Sequence, residues 1–294
     1  MPSVSEWKVP SAAQPKPNAY GYDLDRALSA VVGVRANVPD DAFTAEILGT
    51  ERVGNGVLIR PGVVLTIGYL ITEAETIWLS LFDGRLVPGH ALAYDQSSGF
   101  GLIQPLARVD VPALELGTSA DAAVGTSVVI GGAGGRPYSL AASIVAKQEF
   151  AGYWEYLLDE AIFTSPSHPH WGGTAVIGPD GKLIGIGSLQ LEQARSKGGP
   201  SNLNMIVPID LLKPTFDDLM TMGRPKGPAR PWLGLYATEF EERVIVAGLA
   251  TKGPAEQAGL KAGDIVRAVA GMPARDLAGF YRRVWKLGPA GVEV

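Results

Sequence analysis

The sequence predicts an all-β fold of antiparallel strands, in a barrel or sandwich, followed by a smaller C-terminal module. Short apolar runs end at turn residues, as in Val57–Ile59 before Pro61-Gly62, and this spacing is typical of antiparallel strands. Helical periodicity is scarce before residue 209. A Gly- and Pro-rich stretch at 223–230 indicates a linker. A length of 294 residues, 46% of them hydrophobic, suffices for two domains with real cores.

The elements follow in a simple order along the chain. Residues 1–45 predict a loose arm and lead-in, with a short helix near 23–30 and a role for the arm in oligomerisation. Residues 46–222 predict the β domain, closed by a helix over Ile209–Met220, and residues 231–294 predict the second domain. The strands expected between them are 57–59, 63–67, 78–82, 100–103, 128–130, 144–146, 153–158, 175–177 and 183–186, with a hairpin turn at 179–181.

Composition excludes several classes of protein. The formal charge of -5 argues against a nucleic-acid surface, and the absence of cysteine removes disulfides and thiolate sites. The N-terminal residues are polar and Pro-rich, with no continuous apolar segment of the kind found in signal peptides. We therefore expect a cytoplasmic protein without membrane insertion, or a periplasmic one if the true start lies upstream.

Two segments of the first domain resemble parts of a protease family. Gly54–Ile59 and Val64–Ile71 resemble strands of the HtrA/Deg family, a trypsin-like double β-barrel followed by a PDZ domain. In this register Tyr69 occupies the position of the family's catalytic histidine. Asp95–Ile103 resembles the segment that carries the catalytic aspartate, and that position falls on Gly99. Asp95 itself is interpreted as a turn residue.

A third segment, Phe163–Thr174, resembles the nucleophile loop of the same family. Trp171 stands at the serine position, and an indole has no hydroxyl to attack a carbonyl. Pro169 stands where the family has a glycine whose backbone N–H helps to form the oxyanion hole, and proline has no N–H. The resemblance therefore implies a scaffold whose catalytic residues are replaced, a pseudoprotease with no catalytic residues of its own.

The C-terminal module resembles a bacterial PDZ domain. Pro231–Tyr236 is similar to the loop and strand that bind the C-terminal carboxylate and main chain of a peptide, and Gly253–Val266 resembles the helix and turn that follow. Asp276 is a cap for a helix that forms the other wall of the groove in the family. Its apolar side chains either line the groove or only pack the core. The implied peptide-binding residues are Trp232, Leu233, Gly234, Leu235, Tyr236, Leu277, Phe280, Tyr281 and Val284. Residues 288–294 resemble the start of the last PDZ strand.

Four further features have a chemical and an ordinary interpretation. His168 and His170 suggest a metal site with Asp159 or Glu160, although ordinary loop histidines are favoured. The glycines at 131–135 suggest a phosphate loop, but they lack the Lys-Ser/Thr of a Walker motif, so a flexible inter-strand loop is expected. Ser165, Ser167 and Ser188 are candidates for a substitute nucleophile, and surface or turn hydroxyls are favoured. Phe150, Tyr153, Trp154 and Tyr156 are interpreted as aromatic cover of a barrel core rather than a ligand platform.

The function predicted from these residues is peptide binding without cleavage. The expected partners are peptides or protein C-termini bound by the PDZ domain, and no cofactor or metal is predicted. We expect assembly as a homotrimer or as a mixed oligomer with paralogues, since the family builds trimers and larger assemblies. Two alternatives stay open: an active serine endopeptidase of the HtrA/Deg family, and a structural subunit that assembles with active paralogues.

Overall fold

The computed structural model describes residues 7–193 and 201–294, and so the first six residues of the predicted arm lie outside it. The chain divides into two compact units. The first contains the residues up to Lys147 together with Ala161–Pro225, and the second contains Gln148–Glu160 and Lys226–Val294. The boundary at Pro225 falls inside the predicted linker. Residues 148–160, which the sequence analysis assigned to the β domain, cluster with the C-terminal unit.

A closed barrel of six antiparallel strands forms the first half of the larger unit. Its strands are β1 (Val31–Asn37), β2 (Glu51–Arg60), β3 (Val63–Ile67), β4 (Thr76–Ser80), β5 (Leu86–Tyr94) and β6 (Phe100–Pro105), in the order β1-β2-β3-β6-β5-β4. Pairing of β1 with β4 closes the barrel. The turn between β2 and β3 needs Gly62, whose φ of +75° is open to glycine at little cost.

The second half is another closed barrel of six strands. They are β7 (Ser127–Gly131), β8 (Leu140–Gly152), β9 (Tyr156–Ser165), β10 (Ala175–Ile177), β11 (Leu183–Gln193) and β12 (Ser201–Pro208), in the order β10-β11-β12-β9-β8-β7. The predicted hairpin turn joins β10 to β11, and the Asp180 carboxylate accepts a hydrogen bond from the Lys182 amide there. Val128, Ile144, Val176, Ile184 and Ile206 are buried together in the core of this barrel.

Helices of the larger unit are short: α1 (Leu24–Ser29), α2 (Ala45–Leu48) and α3 (Phe216–Met222). The short helix predicted near 23–30 forms as α1, and the Asp23 carboxylate caps it by accepting from the Arg26 amide. The single closing helix predicted over Ile209–Met220 is wrong. A 3₁₀ turn at Ile209–Leu211 precedes α3, because Pro214 lies between them and proline disrupts a helix interior. Within the described residues, no helix combines the length and apolar character needed to cross a membrane.

The C-terminal part of the second unit is a small α+β fold. Its elements are β13 (Leu235–Phe240), β14 (Arg243–Leu249), α4 (Pro254–Gln257), β15 (Ile265–Val266), β16 (Ala268–Val269), β17 (Met272–Pro273) and α5 (Leu277–Lys286). One sheet has the order β13-β14-β15, which leaves β13 at an edge. Asp276 caps α5 through the Gly279 amide, as predicted. The expected strand start at 288–294 is wrong, since this segment forms turns and Ala290 donates to the Ala229 carbonyl.

Candidate functional site

Two turns of the first barrel bring positions 69 and 99 together. Strand β3 ends in a 3₁₀ turn, Gly68–Leu70, that carries Tyr69. The turn before β6 carries Gly99 at a φ of +84°, and the Gly68 amide donates to the Gly99 carbonyl at 2.7 Å. Asp95 stays within its own turn, where its carboxylate accepts from the Ser97 amide at 2.9 Å and the Ser98 hydroxyl at 2.7 Å. It therefore has the turn role expected of it.

The loop that carries Trp171 is fastened to the first barrel by Asn55. The Asn55 side-chain amide donates to the carbonyls of His170 at 3.0 Å and Gly172 at 3.1 Å. Its backbone amide also donates to Gly172, at 2.8 Å, and its side-chain oxygen accepts from Ala133 at 2.9 Å. Asn55 is not among the site residues predicted from the sequence. The sequence signal for it is its position between Gly54 and Gly56, because glycines in a strand often mark a place where another backbone segment approaches closely.

Tyr69 reaches this loop with its hydroxyl. The phenol donates to the Ser188 carbonyl at 2.7 Å, and a Cβ added at Gly172 would lie 2.7 Å from the phenol oxygen of Tyr69. Desolvation raises the pKa of Tyr69, although a side-chain hydrogen bond with Trp171 opposes the shift. The structure thus brings Tyr69, Gly99 and Trp171 into one place, here called the barrel site. A neutral phenol that already donates its proton to a carbonyl is a poor general base.

A second site lies in the C-terminal unit, at the start of β13. The amides of Leu233, Gly234 and Leu235 all donate to the carboxylate of Glu155, with shortest distances of 3.0, 2.8 and 3.2 Å. Gly234 has a φ of +71°, which explains the glycine at the middle of this loop. Three successive amides aimed at one point form a concave binding site for a carboxylate. This site, together with helix α5 and the edge of β13 that faces away from β14, is here called the groove.

Comparisons with known proteins match both units. A trypsin-like peptidase domain matches residues 54–186, and a PDZ domain matches residues 245–284. The serine endoprotease DegS of Salmonella typhimurium is 24% identical over 299 residues, which cover 94% of this chain and 81% of DegS. The chain is homologous to the HtrA proteases.

Other relatives agree with this assignment. A probable periplasmic serine endoprotease, DegP-like, of Halomonas elongata is 26% identical over 81% of this chain, but the match spans only 52% of that protein. The solved structure of the HtrA-type protease AlgW with a tripeptide superposes with a TM-score of 0.54 at 21% identity, over 90% of this chain and 88% of that one. The predicted fold class, a trypsin-like double barrel followed by a PDZ domain, is confirmed.

The residues predicted to bind peptide in this HtrA homologue fall into two groups. Trp232 is 40% exposed, and Leu233 and Tyr236 are partly buried beside Gly234. Leu235 and the helix residues are buried in the core of the second unit: Leu277, Phe280, Tyr281 and Val284. For Leu277 and Val284, packing of the core is therefore the role that the structure supports directly.

The two histidines of the loop are held by backbone groups and a tryptophan. His168 is buried, its Nε2 lies 2.9 Å from the Tyr138 carbonyl, and its Nδ1 accepts from the His170 amide at 3.1 Å. These partners assign the neutral tautomer with the proton on Nε2. Burial lowers the pKa of His168. Trp7 packs edge-on against both imidazoles, with centroids 5.5 and 5.4 Å away.

Among the residues that the structure describes, neither a metal site nor a substitute nucleophile is assembled around His168. Both of its ring nitrogens already have partners, and Asp159 pairs with Arg282. Across 7–193 and 201–294, no three His, Asp or Glu side chains are grouped as metal ligands. Of the candidate serines, Ser188 contributes its carbonyl to Tyr69, and Ser165 and Ser167 are partly exposed. Since His168 Nδ1 already accepts a hydrogen bond, it is not placed to take a proton from any of them.

Two expectations about local structure change. The glycines at 131–135 are tightly packed rather than flexible, because a Cβ at Gly132 would lie 2.3 Å from the Tyr138 carbonyl. The aromatic cluster packs within itself and against Tyr236, in the unit that contains the C-terminal fold rather than the β domain to which it was expected to belong. Trp154 stacks on Tyr156 with centroids 5.5 Å apart, and Tyr153 contacts Tyr236 of β13 at 5.9 Å. These aromatics belong to the tip of the β8–β9 hairpin, which clusters with the C-terminal unit.

Proposed function

We propose that this HtrA homologue binds extended peptides or protein C-termini through its PDZ domain and does not cleave them. The observation that carries the proposal is the convergence of the Leu233, Gly234 and Leu235 amides on one carboxylate. A peptide C-terminus offers the same chemical group, and its main chain can pair by strand addition with the edge of β13 that faces away from β14. The relative AlgW has been solved with a tripeptide and with a decapeptide, which supports the same ligand class for this chain.

The barrel site supports the absence of cleavage. Tyr69 and Trp171 supply neither an imidazole base nor a hydroxyl nucleophile, and Gly99 has no carboxylate to orient a base. Pro169 lacks the N–H expected of an oxyanion-hole donor, a loss that typically costs about 2.7 to 4 kcal/mol of transition-state stabilisation. Absence of all four groups removes covalent catalysis of the serine type.

Cleavage is tested with a fluorophosphonate probe and a casein turnover assay on the purified chain. We expect no labelled serine and no turnover. Labelling of one serine, with turnover that a serine-protease inhibitor abolishes, would establish an active endopeptidase instead. Ser188→Ala is the control variant, because loss of the label in this variant would identify the nucleophile near Tyr69.

Peptide binding is tested by NMR titration of the ¹⁵N-labelled protein with hexapeptides that end in one apolar residue. The free-carboxylate form should shift the Leu233, Gly234 and Leu235 amides, and the amidated form should not. Gly234→Trp is the matched loss-of-binding variant, since an indole at this glycine blocks the approach of a peptide main chain. Equal shifts from free and amidated peptides would refute carboxylate recognition in the groove.

A further inference from the structure

We propose that the tip of the β8–β9 hairpin, residues Tyr153–Glu155, is an internal ligand of the groove and competes with external C-termini. The inference rests on the proposed function, because it concerns the same peptide-binding site. It adds that the site is already occupied by this chain, with the Glu155 side chain in the place of a terminal carboxylate.

The carboxylate contact is complete in chemical terms. Glu155 Oε1 accepts from Gly234 at 2.8 Å, Leu235 at 3.2 Å and Leu233 at 3.1 Å, and Oε2 accepts from Leu233 at 3.0 Å. A glutamate carboxylate and a peptide's terminal carboxylate present the same pair of oxygens. An external C-terminus therefore reaches these amides only after Glu155 leaves them.

Main-chain pairing is imitated as well. The Tyr153 carbonyl accepts a hydrogen bond from the Ala237 amide at 2.8 Å, on the edge of β13 that faces away from β14. In strand addition, a bound peptide uses backbone carbonyls for the same purpose. The hairpin tip thus accepts hydrogen bonds from the three loop amides through Glu155 and from the β13 edge through Tyr153, two positions earlier.

Helix α5 holds the tip from the opposite side. The buried hydroxyl of Tyr281 donates to the Gly152 carbonyl at 2.8 Å and accepts from the Glu155 amide at 3.3 Å. Leu157 of the same hairpin is buried in the core of the C-terminal unit. Arg282, one position further along α5, forms salt bridges with Glu149 on β8 and Asp159 on β9. Both strands of the hairpin and its turn are therefore bound to the helix wall.

The Glu155 backbone has a φ of +59°, a left-handed conformation that glycine adopts freely and that glutamate adopts at a conformational cost. Glu242 in an exposed turn has a φ of +56°, so the conformation alone does not distinguish Glu155. What distinguishes Glu155 is the contact of its carboxylate with three amides.

The test compares two glutamates with the same backbone conformation in the full-length chain. Glu242, in the exposed turn between β13 and β14, has a φ of +56° and lies in the same unit. Glu155→Gly and Glu242→Gly both relieve a left-handed glutamate, but only the first removes a carboxylate from the groove. Fluorescence anisotropy with the free-carboxylate hexapeptides then reports affinity. We expect Glu155→Gly to bind about tenfold or more tightly than the wild type, and Glu242→Gly to bind as the wild type does.

Hydrogen exchange gives a second readout that needs no peptide. The Leu233, Gly234 and Leu235 amides should exchange slowly in the wild type and in Glu242→Gly, and faster in Glu155→Gly and in the size-conserving Glu155→Gln. Unchanged exchange in both Glu155 variants overturns the inference. Equal peptide affinity of the wild type and Glu155→Gly also overturns it, while leaving the proposed function intact. Failure of every variant to bind peptide contradicts the proposed function and with it the competition, and exchange then decides only whether Glu155 occupies the three amides.

Discussion

The barrel site and the groove differ in how the protein's own side chains fill them. At the barrel site, Tyr69 donates to the Ser188 carbonyl of β11 and lies against the loop of Trp171. In the groove, the three amides that recognise a carboxylate are all present, and Glu155 covers them from a turn. Under the proposed function, the first site has no catalytic role, whereas the second binds a peptide once the Glu155 side chain leaves the three amides. Replacements should therefore change stability at the first site and ligand affinity at the second.

The largest effect is expected for Gly173→Ala at the barrel site. A Cβ at this glycine would lie 1.8 Å from the Asn55 carbonyl oxygen, and its φ is +75°. Because backbone cannot move aside as a flexible side chain does, the loop must separate from the first barrel. We expect a loss of about 4 kcal/mol or more in the free energy of unfolding, measured by urea denaturation.

Gly62→Ala is the matched control for this change. Gly62 has the same φ of +75°, but no atom lies within 4 Å of a Cβ placed there. It should lose only the conformational cost, roughly 1–2 kcal/mol. If both variants lost the same amount, the loop of Trp171 would be adjustable, and the description of the barrel site as rigidly filled would be wrong.

An intermediate loss of stability is expected when a buried tyrosine hydroxyl is removed from either site. Tyr69 donates to the Ser188 carbonyl at 2.7 Å, and Tyr281 donates to the Gly152 carbonyl at 2.8 Å. Each Phe variant leaves a carbonyl without its donor, and we expect each to lose about 1–3 kcal/mol of unfolding free energy. Only Tyr281→Phe should also raise peptide affinity, by roughly a few fold, because it loosens the hairpin tip.

The affinities are compared by anisotropy with the free-carboxylate hexapeptides, and stability by urea denaturation. Tyr69→Phe serves as the control for a general loss of stability. A rise in affinity in both variants would mean that destabilisation alone opens the groove, and the contrast between the two sites would not hold.

The smallest effect is a pH dependence that arises beside the barrel site. Burial lowers the pKa of His168, and its neutral ring accepts from the His170 amide and donates to the Tyr138 carbonyl. A folded pKa below the ordinary value of about 6.5 means that the unfolded chain binds the proton more tightly. The stability linked to His168 is therefore present above pH 6.5 and is lost as the pH falls, by about 1 kcal/mol per pH unit.

The unfolding free energy of wild-type protein, measured from pH 7.5 to pH 5, should thus fall more steeply than that of His168→Gln. The exposed His90 provides the control, and His90→Gln should keep the wild-type slope. Carboxylates that titrate over this range contribute equally to all three profiles. Identical slopes for the wild type and His168→Gln would show that protonation of this imidazole is not opposed by the loop.

Local features of the sequence predicted most of the fold and the positions that meet at the barrel site. Turn residues such as Gly62 and caps such as Asp276 act on neighbouring backbone, so their effect is visible in a short stretch of sequence. The position of Tyr69 at the end of β3 could be predicted because the apolar strand and the glycine that precede it are adjacent in the sequence. The single closing helix predicted over Ile209–Met220 is wrong for a reason that is also local, because proline at 214 interrupts a helix interior.

Contacts between distant residues could not be predicted in this way. Glu155 and Gly234 are separated by 79 positions, and Asn55 and Gly172 by 117. No periodicity or spacing joins such pairs, because they meet only after both elements have folded. Glu155 is distinguished in the sequence as a charged residue among aromatic residues, but no neighbouring residue indicates which group its carboxylate binds. The same limit applies to the aromatics around Glu155, whose packing against Tyr236 of β13 joins residues 83 positions apart.

The turn that carries Glu155 sets the minimum affinity that an external peptide needs in order to bind in the groove. A tethered competitor acts at an effective concentration that reaches about the millimolar range for short connections, whatever the amount of protein present. A free carboxylate alone gains nothing over the tethered one, since both satisfy the same amides. The affinity of a peptide therefore depends on its last side chain and on the length of its backbone that pairs with β13. Under the proposed competition, C-termini that bind weakly are excluded even when they are abundant, and well-matched ones bind even when they are scarce.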